Sequence, residues 1–88
     1  MSTWKVILDP DFLRQLKKLD KPMRGRVLDA LERLGTFENP QAHCKALTHN
    51  RSGLWRYRVG DYRVILKMYR SQLLIVAVEV GHRSKIYD

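Results

Sequence analysis

Cysteine is almost absent from this 88-residue chain. Cys44 stands alone, which excludes a disulfide framework and a cysteine-based metal site and fits a reducing, cytoplasmic setting. No window reaches the ~18 apolar residues of a membrane span, and the start MSTWKVILDPDF carries no apolar run with a small-residue cleavage site. An unexported protein with no membrane partner is expected. The sequence also lacks a glycine-rich phosphate loop, an HxxxH pair and any cluster of carboxylates that could hold magnesium. Neither a metal nor a cofactor is therefore expected. Acidic residues are scarce, nine against 17 Lys and Arg, so the chain carries a formal charge of +8. Such an imbalance suits a polyanionic partner: nucleic acid, an acidic protein or an anionic surface.

What is present reads as one domain over residues 1–88, because a chain of this size supports a single modest core. Trp4 to Leu8 forms a short strand-like run. Asp9-Pro10 then reads as a helix start, with Asp9 as cap and Pro10 at the first position, where a missing N–H costs nothing. Phe12, Leu13, Leu16 and Leu19 follow at helical spacing. The Asp20-Lys21-Pro22 segment repeats the signal before a second stripe of Met23, Val27, Leu28, Leu31 and Leu34, which Gly35 is expected to end as a C-cap. Between Thr36 and Gly53 no period is sustained, and a loop is expected, with His43 and His49 in solvent. A loop of that length in so small a domain is often functional.

The last third alternates in strand fashion: Trp55, Tyr57 and Val59; then Tyr62, Val64, Leu66 and Met68; then Leu74, Val76, Val78 and Val80. These residues, the aromatic ones included, are assigned to an apolar face, and His82 to the same side. The expected fold is α+β in the order β-α-α-β-β-β, with two antiparallel helices on one face of a mainly antiparallel four-stranded sheet.

Turn lengths give a register. With Gly60-Asp61 as a two-residue hairpin loop, Val59 pairs with Tyr62, which sets Arg58 opposite Arg63 and Arg56 opposite Ile65 on the outer face. Directly opposed cations are destabilising and call for a counterion. A three-residue loop, Arg70 to Gln72, then pairs Tyr69 with Leu73 and sets Glu79 opposite Arg63. Residues 51–88 hold eight basic and three acidic side chains, against nine and six in residues 1–50. The outer face thus gathers Arg56, Arg58, Arg63, Lys67 and Arg83, a set suited to phosphate because the guanidinium fork binds oxygen pairs and stays charged. Lys85, Lys17 and Lys18 are further candidate RNA contacts. Tyr87, beyond the last strand, can stack on a base. Metal-free RNA cleavage remains open to such a site: the ribose 2′-OH lies beside its own phosphate and needs a base, charge stabilisation, an acid and alignment.

The order of elements, the hairpin LWRYRVGDYRVI and the ending VGHRSKIYD together resemble the RelE toxins of bacterial and archaeal toxin–antitoxin modules, within the RelE/ParE superfamily. The resemblance spans essentially the whole chain. It implies a ribosome-dependent mRNA endonuclease that cuts A-site codons and leaves a 2′,3′-cyclic phosphate and a 5′-hydroxyl. Its implied partners are a RelB-like antitoxin, the ribosome and mRNA, and operator DNA only through the antitoxin complex. Carried over by position, Arg56 and Arg58 match two lysines, one of them a proposed general base; Arg63 matches a transition-state arginine, Arg83 the arginine proposed as acid, and Tyr87 a tyrosine that stacks on the nucleotide. Arginine is a poor proton acceptor near neutrality, so Arg58 becomes a clamp. The base is then Glu79, Tyr87, His82, a ribosomal group or none at all, with Glu79 the first protein candidate because the expected register sets it among the arginines. The alternatives are a ParE-like inhibitor of DNA gyrase and a catalytically degenerate module that binds antitoxin and DNA.

Overall fold

The computed structural model describes residues 3–86. Strand β1 (Lys5–Leu8) leads into α1 (Pro10–Leu16) and α2 (Lys21–Thr36); β2 (Lys45–Ala46), β3 (Trp55–Val59), β4 (Tyr62–Tyr69) and β5 (Leu74–His82) follow. Both helices start where the sequence signals them. Asp9 caps α1 by accepting from the Asp11 N–H at 3.0 Å, and Asp20 caps α2 by accepting from the Met23 N–H at 3.2 Å. The sheet runs β1-β5-β4-β3-β2, with β1 parallel to β5 and every other pair antiparallel.

The α+β layering is as expected, but the sheet has five strands rather than four. The added strand is two residues long, too short to leave a period in the sequence. The Gly60-Asp61 hairpin holds the expected register, Arg58 opposite Arg63 and Arg56 opposite Ile65, with Gly60 at φ 59 in the turn. The next turn differs. Leu73, at φ 49, extends the expected Arg70–Gln72 loop by one residue, so Tyr69 faces Leu74. A bulge then leaves Val78 unpaired between Ile65↔Glu79 and Leu66↔Ala77. The longer loop turns Ile75 and Ala77 toward the helices in place of Leu74 and Val76, and the bulge restores the expected facing at Val80. Arg63 consequently lies opposite Gly81, not Glu79.

Phe12, Leu16, Met23, Val27, Leu31 and Leu34 of the helices pack against Val59, Val64, Leu66, Ile75, Ala77 and Val80 of the sheet. Trp55, Tyr57 and Tyr62 border this core, as their alternation requires. The opposite face is not wholly polar. Ile65 is fully buried there beneath Leu47 and Ile86, with Leu54 and Val78 against them. This second small core draws the 47–54 segment and Ile86 across the sheet.

Gly35 does not end α2. The helix continues through it to Thr36 with Phe37 as C-cap, and the Gly35 carbonyl accepts from the Trp4 N–H at 2.7 Å. A Cβ at Gly35 would lie 2.9 Å from the Trp4 carbonyl oxygen, so the glycine permits a backbone-to-backbone approach of α2 and the start of the sheet. Gly35→Ala is expected to destabilise the domain by about 1–3 kcal/mol, overpacking outweighing the roughly 1 kcal/mol gain in helix propensity, as read by urea unfolding.

Candidate functional site

The β3–β4 hairpin and the short β2 strand bring four cations together. Lys45 pairs directly with Arg56, as Arg58 does with Arg63, so two like-charged pairs oppose each other on one face. With His43 and Cys44, these residues line a cleft of about 260 Å³. Sequence reasoning missed Lys45 and His43, because the segment that carries them has no period of its own and only the pairing of β2 to β3 brings it to the hairpin.

Arg63 is the anchor of the cleft. Its residue is 8% exposed, and Nη1 donates to the carbonyl oxygens of Gly60 and Tyr62, each at 3.0 Å. The guanidinium is thereby fixed to the turn that holds the hairpin together. Burial lowers its pKa from the usual arginine value, as do Arg58, Arg56 and Arg83, while Asp61 partly opposes them. The fold therefore concentrates positive charge at a cost that a bound anion would relieve. Cys44 contributes no thiolate: burial pushes its thiol up to about 12.

Arg83 projects at the rim. Its backbone N–H donates to the Asp61 carbonyl at 2.8 Å, and its Nε lies 3.8 Å from an Asp61 carboxylate oxygen, with both side chains exposed. The hairpin tip thus places Arg83 near Arg63. Arg58 also lines a neighbouring depression with Arg26 and Arg33 of α2, which extends the basic surface around the β3 edge.

The remaining expected site residues are dispersed. Glu79 accepts from Arg51 Nη2 at 3.1 Å and faces Ile65, which removes the register argument that set it among the hairpin arginines. Lys67 is exposed farther along β4, opposite Val76. Lys18 and Lys85 line a different depression, of about 430 Å³, with Gln15, Tyr62 and His82; Lys17 caps the end of α1. His82 packs edge-on against Tyr62, and its Nδ1 accepts from the Ser84 N–H at 3.1 Å. Tyr87 lies outside the described residues. Among the described residues, no group of three or more His, Cys, Asp or Glu side chains is placed to hold a metal ion, and no helix is long and apolar enough to cross a membrane.

Residues 6–87 match the family model described as the ParE toxin of the type II toxin–antitoxin system, parDE. The chain belongs to this family. The toxin is similar in structure to the RelBE2 toxin–antitoxin complex of Mycobacterium tuberculosis, with a TM-score of 0.87 and 23% identity over 97% of each chain. It is also similar to the archaeal RelE–RelB complex of Pyrococcus horikoshii OT3, with a TM-score of 0.73 and 24% identity over 96% of this chain and 99% of that one. The isolated E. coli RelE toxin gives 0.65 and 17% identity over 90% and 83%. At these identities the likeness establishes the RelE-like fold. Among curated proteins, none matches the sequence. The toxin is therefore a type II toxin–antitoxin toxin of the RelE/ParE superfamily.

Proposed function

We propose that the toxin is a ribosome-dependent mRNA endonuclease that cuts A-site codons without a metal, by attack of a ribose 2′-OH on the adjacent phosphate. The observation that carries this reading is the cleft itself: Lys45 against Arg56 and Arg58 against Arg63, four cations drawn together in one concavity. RNA phosphate supplies a counterion for the directly opposed Arg58 and Arg63. Arg56 and Arg58 clamp the scissile phosphate, and Arg63, held rigid by Gly60 and Tyr62, meets the charge that develops on its oxygens. Arg83, exposed at the rim, meets the departing 5′-oxygen, and Tyr87 stacks on the nucleotide. Lys67, Lys85, Lys17 and Lys18, spread around the domain, contact RNA outside the cleft.

A RelB-like antitoxin is the proposed cellular partner, in keeping with the complexes formed by the M. tuberculosis and P. horikoshii proteins. Operator DNA is reached only through that complex. The test is primer extension on mRNA bound to programmed ribosomes. New 3′ ends within the A-site codon, dependent on the ribosome, are the expected result. Binding should weaken with salt, each neutralised phosphate adding about −0.7 to the slope of log affinity on log salt.

The matching family is described as the ParE toxin, and a ParE-like inhibition of DNA gyrase by protein contact is the second reading. Intact mRNA together with a block in DNA supercoiling would decide for it.

A further inference from the structure

Among the described residues the hairpin has cations in abundance and a single carboxylate, Asp61, which lies 3.8 Å from Arg83 at the exposed tip. Arginines do not serve, Glu79 is engaged by Arg51, and the Nδ1 of His82 is occupied by Ser84 while its ring lies against Tyr62. Among the described residues one titratable ring lines the cationic cleft: His43. It closes the helical turn Pro40–His43 immediately before β2, and its ring stacks on Phe37 with centroids 4.0 Å apart and planes at 19°. The turn is tethered from the other side of the chain. Arg70 Nη2 donates to Asn39 Oδ1 at 2.7 Å and to Gln41 Oε1 at 2.8 Å. His43 is thus exposed to an incoming ligand yet held in place at the wall shared with Lys45, Arg56, Arg58 and Arg63.

We infer that His43 is the proton acceptor of the cleavage step, an assignment that rests on the endonuclease reading above. Imidazole is the side chain whose ordinary titration lies closest to neutrality, and stacking leaves its ring nitrogens at the edge, open to a hydroxyl. In the step, a ring nitrogen takes the proton of the 2′-OH and the 2′-oxygen forms a bond to phosphorus. The P–O5′ bond breaks, and the 5′-oxygen leaves with a proton drawn from solvent or from Arg83. The products are a 2′,3′-cyclic phosphate and a 5′-hydroxyl, with no oxidant, metal or co-reactant required. The neighbouring guanidiniums hold the phosphate while His43 works at the sugar.

The test measures single-turnover cleavage on programmed ribosomes with the full chain. His43→Phe preserves a ring against Phe37 but removes the acceptor, and a rate loss of about 10²-fold or more is expected with ribosome binding unchanged. His43→Ala is expected to lose as much and to regain part of the rate on addition of imidazole, whereas His43→Phe regains none. Cleavage by His43→Phe at the unaltered rate overturns the assignment. So does a loss in His43→Ala that imidazole leaves untouched in a protein melting at the unaltered temperature, since the ring would then serve packing alone. If the unaltered toxin leaves ribosome-bound mRNA intact, the endonuclease reading itself fails and the assignment with it.

Discussion

Arg63→Met is expected to abolish growth arrest on expression and to slow ribosomal mRNA cleavage by about 10²–10³-fold, the usual cost of removing a fixed donor aimed at developing charge. The fold should survive. Two opposing terms act on stability: the variant loses the hydrogen bonds to the Gly60 and Tyr62 carbonyls, but it also removes a buried charge crowded by Arg58, Arg56 and Arg83. A depressed pKa in a basic group means that the folded state disfavours its proton. At neutral pH the whole of that penalty is present, and it would vanish only above the arginine titration range. Replacement by an apolar side chain of similar length lifts the penalty, so the melting temperature should stay within about 8 °C of the unaltered protein, equivalent to roughly 1 kcal/mol. A folded Arg63→Met protein that still cleaves at the normal rate would sink the role given to this arginine. The same crowding predicts that polyphosphate raises the melting temperature of the unaltered toxin more than that of Arg63→Met, because a ligand that binds only the native state stabilises it.

Arg83→Ala should separate activity from stability more cleanly. The side chain is 62% exposed and its ion pair with Asp61 spans 3.8 Å, a geometry that contributes little in water. Its backbone N–H bond to Asp61 does not depend on the side chain. Unfolding free energy should therefore change by less than about 0.5 kcal/mol, the ordinary range for an exposed position. Cleavage and toxicity should nevertheless fall by about 10²-fold, as expected on loss of a group that assists the departing oxygen. Persistent toxicity in the folded variant would count heavily against the endonuclease reading.

The parts of this domain legible in the sequence are those governed by neighbours along the chain. Asp9-Pro10 and Asp20 announced both helices because a cap is satisfied within three residues of itself. The Gly60-Asp61 turn fixed the β3–β4 register, and with it the facing of Arg58 and Arg63, because a two-residue loop leaves no freedom to slip. The resemblance carried by the hairpin and the VGHR segment reached the superfamily. Gly35 is not legible in this way, because a helix-ending glycine and a close-packing glycine look alike until the Trp4 backbone is seen where a Cβ on residue 35 would meet its carbonyl oxygen at 2.9 Å.

The site needed more. One further residue in the β4–β5 turn and a compensating bulge moved Glu79 away from Arg63, and neither leaves a mark in the alternation of apolar residues. Lys45 and His43 joined the cleft only through a two-residue strand whose pairing partner lies ten residues farther along the chain, and through Arg70 reaching back to Asn39 and Gln41. Composition and local turns thus determined by themselves a small basic α+β domain with an arginine hairpin. Tertiary structure alone decided which cations share a cleft and which titratable ring stands beside them, because those contacts are made between segments that no local period or turn length connects.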